Sequence, residues 1–227
     1  GYGESAPRTY VTGAYQEQAL SSVGRFVKQE GLPWELKDVN QLWRFTQGLL
    51  KGNRDYAAIC ALETALLDAF AKSQNLHAAA YFPHGFYNDE IQYGAAVPLA
   101  DKKRVTKICD FIKTVLGINR IKLKLDRHFD RNKIALEALR GVYGRDCDLK
   151  VDVNCDWDGE IALEHIDLIR EFDVKVVEQP MVPGHPDIGM FSARLKKLGV
   201  ALMADESSCS LLDVKTLHRE GHYNMIN

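Results

Sequence analysis

The stretch LKVDVNCDWDGE, residues 149–160, decides the prediction of the fold. A short apolar run ends in Asp152, and Asn154 follows two positions later, before an acidic segment that contains glycine. A carboxylate at the end of a buried strand is costly to desolvate unless a cation meets it. The stretch therefore indicates a core strand whose end faces a cation.

Outward from this stretch, apolar runs of strand length alternate with helical segments from residue 91 onward. We expect strands over 91–100, 119–126, 148–154, 174–180 and 200–207, with a sixth beginning at 223. We expect helices over 101–116, 130–143, 159–172, 188–198 and 210–219. Such alternation predicts parallel strands joined by helical crossovers. The fold class is therefore α/β, either a partial barrel or a doubly wound sheet, because the spacing alone does not separate the two.

The first part of the chain has a different pattern. Apolar residues at helical spacing predict helices over 15–30, 35–50 and 54–74, and proline and glycine indicate a linker over 75–90. The sequence therefore predicts a helical part that precedes the α/β part.

Charged residues end four successive predicted strands: Lys124, Asp152, Glu178 and Asp205, at intervals of 28, 26 and 27 residues. In an α/β barrel the C-terminal ends of the strands carry the active site. Three carboxylates at one mouth suit Mg²⁺ or Mn²⁺. Each carboxylate could instead cap the next helix or pair with a lysine, but their recurrence favours a metal site.

Lys122 and Lys124 alternate with Ile121, Leu123 and Leu125, so both lysines point to one face of a strand. Two like charges at close range lower the pKa of a lysine, and a lysine with a lowered pKa can act as a general base. An exposed strand with its lysine face in water is the alternative. Beside the row of carboxylates, we favour catalytic lysines.

Two further residues belong to the predicted site. Asn154 shares the face of Asp152 and is expected to bind the metal or to support a ligand of it. Glu206 directly follows Asp205, so it points elsewhere, and we expect it either to orient a lysine or to support a residue that binds the metal. The seven histidines have no metal-binding spacing and are expected on the surface or in the core.

The composition excludes several classes of protein. The chain has 227 residues, of which 46% are hydrophobic and 26% charged, with a net charge of −2. These values are typical of a globular protein and do not suggest a nucleic-acid partner. We see no apolar run of the roughly 18 residues that a membrane helix needs. Five cysteines without a C-x-x-C pair indicate free thiols and a cytoplasmic location.

Four motifs resemble those of the enolase superfamily, and within it the muconate-lactonizing-enzyme subgroup. They are K-x-K at 122–124, VDVN at 151–154, VEQP at 177–180 and ADES at 204–207, in the order and at the spacing of that family. In the first part of the chain, GYGE at 1–4 with PRTYVTG at 7–13 is similar to the end of the family's capping sheet, and ALETALLDA at 61–69 to its helix before the barrel.

The resemblance implies the helical part of an α+β capping domain with a linker over 1–90, and the first part of a (β/α)₇β barrel over 91–227. It implies Mg²⁺ held by Asp152, Glu178 and Asp205, and a small-molecule carboxylate substrate with an acidic α-proton. Lys124 would exchange that proton on one face, and Lys122 would help to stabilise the enolate. A second base would lie two residues after the position matched by Asn227, and a homo-oligomer is expected.

Several functions remain open at this point. A racemase or epimerase of dipeptides or N-acyl amino acids is favoured, whereas cycloisomerase and o-succinylbenzoate-synthase chemistry use the same residues. Acid-sugar dehydratases are disfavoured because they usually carry Lys-x-His where this chain has Lys-x-Lys. Because both ends of the sequence look cut, we also expect a fragment, and a fragment without catalysis of its own is the competing hypothesis.

Overall fold

The computed structural model describes residues 1–9, 14–29, 32–51, 55–82 and 90–227. The chain divides into two compact units, Gly1–Ile91 and Gln92–Asn227. Parts of the motif at 7–13 and of the linker at 75–90 lie outside the described residues, as do the predicted helix ends at 30 and 54.

The described residues of the first unit form three α-helices, as predicted. They are α1 (Gln16–Gln29), α2 (Val39–Leu50) and α3 (Tyr56–Ser73), followed by a 3₁₀ turn at Ala78–Tyr81. Helix α2 begins four residues later than predicted because Asp38 caps it, accepting a hydrogen bond from the Gln41 amide at 3.0 Å. Phe26, Leu49 and Leu62 belong to the shared apolar core of these helices.

The second unit alternates strands and helices as the sequence indicates. The strands are β1 (Ala95–Val97), β2 (Arg120–Lys124), β3 (Asp148–Asp152), β4 (Val176–Glu178), β5 (Ala201–Ala204) and β6 (Met225–Ile226). The helices are α4 (Lys102–Thr114), α5 (Phe129–Tyr143), α6 (Gly159–Glu164), α7 (Ile166–Glu171), α8 (Ile188–Lys197) and α9 (Leu211–Glu220). The predicted helix over 159–172 is two short helices that meet at His165.

The six strands form one parallel sheet in the sequential order β1-β2-β3-β4-β5-β6. A doubly wound sheet reverses its strand order at a switch point, so this alternative is wrong for the described strands. Sequential parallel strands with right-handed crossovers place their helices on one side, which is the arrangement of an α/β barrel.

The period of two along each strand decides what faces the helices. Leu123 and Val151 are fully buried in the core shared with helices α4 to α8, and Lys122, Lys124 and Asp152 lie on the opposite face. That opposite face is the inner face of the barrel segment. The prediction that both lysines point to one face of the strand is therefore confirmed.

Two observations bear on the expectations about membrane helices and about the cysteines. None of the helices among the described residues is long and apolar enough to cross a membrane. All five cysteines lie within the described residues and are free thiols.

Candidate active site

Asp152 and Glu178 form the centre of the site because they end adjacent strands and are register partners across β3 and β4. Both are buried, with 1% and 0% of their surface exposed. The ammonium group of Lys122 lies between them, 3.1 Å from Asp152 Oδ2 and 3.0 Å from Glu178 Oε1. The two carboxylates thus converge on one positive charge.

Lys124 is the last residue of β2 and the register partner of Asp152. Its Nζ lies 2.6 Å from Asp152 Oδ2 and also donates a hydrogen bond to Asn154 Oδ1. About a third of this side chain is exposed, so its amine can reach a molecule bound at the strand ends.

Asp205 lies one residue beyond β5. The register partner of Glu178 is Met203, so Asp205 is on the same face but two residues further along its strand. Strand stagger of this kind accompanies closure of a barrel. In the described part of the chain, the Asp205 carboxylate has no hydrogen bond or ion pair, and no three acidic, histidine or cysteine side chains are close enough to hold a metal ion.

The donor set nevertheless fits a hard divalent cation. It consists of carboxylate oxygens, which Mg²⁺ and Mn²⁺ prefer. Glu178 Oε2 is buried without a hydrogen-bond partner among the described residues, so it has a free acceptor. A cation shared by all three carboxylates requires Asp205 to approach Asp152 and Glu178.

Asn154 and Glu206 are linked to Lys124 by a chain of hydrogen bonds. Asn154 Nδ2 donates to Glu206 Oε1 at 3.1 Å, while its Oδ1 accepts from Lys124. The structure therefore brings Glu206 to Lys124 through an intervening amide and not by direct contact.

Sequence reasoning missed three residues that contact this site. Lys150 Nζ lies 3.7 Å from Glu178 Oε2, Asn227 Nδ2 donates to Glu178 Oε1 at 3.1 Å, and Gln179 binds the backbone of Asp205. Lys150 precedes Asp152 by two positions, so the alternation that placed Lys122 and Lys124 on one face would also have found it.

The pKa shifts correct one expectation. Burial alone would lower the pKa of Lys122, but its hydrogen bonds and charge interactions with Glu178 and Asp152 outweigh burial and raise it. The predicted lowering is thus wrong for Lys122, because the adjacent carboxylates count for more than the neighbouring lysine. Burial also raises the pKa of Glu178, against the opposing effect of Lys122.

The backbone beside the site is strained. Asn154, Cys155 and Gln179 have φ values of 48°, 67° and 37°, in the region that favours glycine. Strained residues that surrounding structure holds in place cluster at functional sites.

Burial, reinforced by the carboxylates of Glu206, Asp152 and Asp205, raises the pKa of the Cys155 thiol to about 12, so the thiol stays protonated.

A cavity of about 450 Å³ opens on the inner face of the sheet. Lys122, Lys150 and Asn227 line it, whereas Lys124 and Asp205 do not, so it lies on the N-terminal side of the carboxylates. The inner face therefore has open space next to the charged cluster.

The fold and the cluster define this chain as an α/β-barrel segment with lysines and carboxylates at the C-terminal ends of its strands. The family model described as "Enolase C-terminal domain-like" matches residues 108–227, more than half of the chain. The chain belongs to this family, and the resemblance seen in the motifs is confirmed.

The relatives are named as isomerases. The chain is 23% identical to the hydrophobic dipeptide epimerase of Enterococcus faecalis and 28% identical to the aromatic dipeptide epimerase of Herpetosiphon aurantiacus, covering 100% of this chain and 62% of each relative. It is 30% identical, over 165 residues, to the chloromuconate cycloisomerase of Cupriavidus pinatubonensis, covering 72% of this chain and 44% of that protein.

A solved structure supports the fold. The dipeptide epimerase from E. faecalis, complexed with Mg and the dipeptide L-Leu-L-Tyr, matches with a TM-score of 0.83 at 21% identity, covering 100% of this chain and 62% of that chain. The predicted partial TIM-like barrel is thereby confirmed. The chain spans less than two thirds of the length of these relatives.

Proposed function

We propose that this protein is an isomerase that depends on a divalent cation and removes the proton α to the carboxylate of a small molecule. The observation that carries the proposal is the convergence of two buried carboxylates, Asp152 and Glu178, on one positive charge, with the lysine Lys124 beside them. Dipeptides or N-acyl amino acids are the proposed substrates.

In this proposal Asp152, Glu178 and Asp205 would hold Mg²⁺, or Mn²⁺ in its place. A bound cation of this kind supplies positive charge that polarises a substrate carboxylate and makes its α-proton more acidic. Glu178 Oε2, the buried oxygen without a hydrogen-bond partner among the described residues, supports this assignment.

Lys124 is proposed as the base that takes the α-proton at its Nζ and returns it. Its partial exposure supports this role, because the amine can meet a bound substrate. Asn154 accepts a hydrogen bond from Lys124 and donates one to Glu206, so Glu206 would orient the base through Asn154. Lys122 would place positive charge where negative charge develops on the substrate.

The names of the relatives support the substrate class. Two are dipeptide epimerases that match this chain over its whole length. The proposal also includes a cytoplasmic location and assembly into a homo-oligomer.

A cycloisomerase is the second candidate, and one observation favours it. The chloromuconate cycloisomerase has the higher identity, 30%, although over only 72% of this chain. The same lysines and carboxylates would serve either reaction, so substrate tests separate them.

The test is proton exchange in D₂O, followed by ¹H NMR, with dipeptides such as L-Leu-L-Tyr and with N-acyl amino acids. Exchange of the α-proton that needs Mg²⁺ and is lost in Lys124→Ala, while that variant still binds Mg²⁺, supports the proposal. Glu178→Gln is expected to weaken the binding of Mg²⁺ itself. Exchange at the rate of the unsubstituted protein in Lys124→Ala would remove Lys124 as the base.

Two controls complete this test. Lys107→Met, an exposed lysine on α4, should leave exchange unchanged. A muconate, followed by its ultraviolet absorbance, tests the cycloisomerase. Consumption of the muconate without any exchange of dipeptides would favour the second candidate, and neither reaction would favour a chain without catalysis of its own.

A further inference from the structure

The side chain of Gln179 is fully buried directly after β4 and uses all of its hydrogen-bonding capacity. A primary amide can donate two hydrogen bonds and accept two through its oxygen. Here Oε1 accepts from the backbone amides of Asp205 at 2.9 Å and Ser207 at 3.0 Å. The Nε2 group donates to Met181 O and to Ser207 Oγ, both at 2.7 Å.

The backbone of Gln179 contacts two further strand ends. Its amide donates to Met203 O at 2.9 Å, and its carbonyl accepts from the Cys155 amide at 2.8 Å. Cys155 belongs to the segment that follows β3, and Met203 belongs to β5. Gln179, which directly follows Glu178 in the chain, is therefore hydrogen-bonded to β5 and to the segment that follows β3.

The sheet alone does not hold Asp205 next to β4. The last pair in the ladder between β4 and β5 is Glu178 with Met203, so Asp205 lies beyond it. On the side of Asp205 that faces β4, the hydrogen bond from the Asp205 amide to Gln179 Oε1 takes the place of a backbone hydrogen bond between the strands.

We infer that Gln179 is a positioning residue that holds the segment 205–207 against the end of β4 and so brings the carboxylate of Asp205 towards those of Asp152 and Glu178. Its φ of 37° is strained for a residue with a side chain, and four buried hydrogen bonds keep it in place. The consequence for cation binding rests on the proposed function, whereas the hold on segment 205–207 does not.

The experiment compares two substitutions with a matched control in the same unit. Gln179→Met removes all four side-chain hydrogen bonds at similar volume, and Gln179→Glu keeps the two accepted by the oxygen. The control is Asn132→Leu, because Asn132 is a fully buried amide that bonds the Asp126 backbone at 3.1 and 2.6 Å and does not contact the carboxylates.

Three quantities are measured on each protein: the melting temperature without added cation, the hydrogen-exchange rates of the amides of Asp205 and Ser207 by NMR, and the Kd for Mn²⁺ by electron paramagnetic resonance. In Gln179→Met we expect both amides to exchange at least tenfold faster and Mn²⁺ to bind at least tenfold more weakly. Gln179→Glu should keep both exchange rates within threefold of the unsubstituted protein. Asn132→Leu should lower the melting temperature without changing the Kd or these two rates.

Two results would overturn the inference. One is unchanged exchange at Asp205 and Ser207 in Gln179→Met. The other is a rise in exchange that follows the melting temperature equally in all three variants, since that shows general destabilisation. If the unsubstituted protein does not bind Mn²⁺, the proposed function fails, and the exchange rates then decide the role of Gln179 by themselves. Should Gln179→Met not fold, normal exchange at both amides in Gln179→Glu supports the inference and fast exchange there overturns it.

Discussion

Replacement of Lys122 by methionine tests the charge arrangement of the site most directly. The Lys122 ammonium lies 3.1 Å from Asp152 and 3.0 Å from Glu178, and both carboxylates are almost completely buried. Methionine keeps most of the aliphatic stem and removes the charge. The two carboxylates would then repel each other with less compensation.

The magnitude follows from these distances. A pair of unit charges about 3 Å apart attracts by roughly 5 kcal/mol at an effective dielectric constant of about 20, and desolvation of the lysine offsets much of this. Breaking a buried pair costs roughly 3–5 kcal/mol. Lys124 and Lys150 still face the carboxylates, so we expect the lower end, about 3 kcal/mol, or a fall of roughly 6–12 °C in melting temperature.

Added Mg²⁺ should then stabilise Lys122→Met more than the unsubstituted protein. The substitution removes the ammonium group that contacts Asp152 Oδ2 and Glu178 Oε1. Lys124 and Asn227 still contact these two oxygens, but the carboxylates have less compensating charge and attract an added cation more strongly. A ligand at 100 times its Kd stabilises by about 2.7 kcal/mol, enough to recover most of the loss.

The assay is thermal unfolding, followed by circular dichroism, with and without Mg²⁺ at millimolar concentration. Lys107→Met is the control and should change stability by no more than about 0.5 kcal/mol, because it replaces an exposed lysine. A melting temperature for Lys122→Met within 2 °C or so of the unsubstituted protein would refute the estimate of about 3 kcal/mol. If Mg²⁺ raises the melting temperature of Lys122→Met by no more than that of the unsubstituted protein, the idea that Lys122 and the cation share these carboxylate oxygens is refuted.

Three further predictions concern the fold of the second unit. Leu123→Ala should lower the free energy of unfolding by about 3 kcal/mol in urea titrations, because Leu123 is fully buried and leaves a cavity. Ser210→Ala should cost about 1 kcal/mol in the same assay, since Ser210 caps α9 by accepting from the Asp213 amide at 3.2 Å. Burial lowers the pKa of His165 in the folded chain. The unfolded chain therefore binds a proton near pH 6.5 while the folded chain does not, and the free energy of unfolding falls as the pH drops below about 6.5. In His165→Gln this fall should be smaller by up to about 1.4 kcal/mol per pH unit.

The parallel sheet could be predicted because its two signals are local. The period of two in IKLKLD separates Lys122 and Lys124 from the leucines, and the recurrence of about 27 residues is the length of one βα unit. Both depend only on residues near each other in the chain. The same period applied to LKVD would have placed Lys150 on the inner face beside Asp152.

Other features depend on relations between distant residues, which local patterns do not contain. The stagger of β5 against β4 is set by the twist and tilt of the sheet, so the sequence interval could not show that Asp205 lies two residues beyond the partner of Glu178. The raised pKa of Lys122 depends on distances to two other strands. The histidine at 165 lies within an apparently continuous helical pattern, and its buried contact with Asn132 at 2.9 Å, a residue 33 positions earlier in the chain, distinguishes that position.

The question that Asp152 raised in the sequence has an answer in the sheet. A carboxylate can end a buried strand here because Lys122 and Lys124, on the neighbouring strand, reach it at 3.1 and 2.6 Å. The lysines therefore serve folding as well as the proposed chemistry, since each has a carboxylate partner that would otherwise be buried without compensation. Any cation that binds Asp152 must compete with these ammonium groups or displace them.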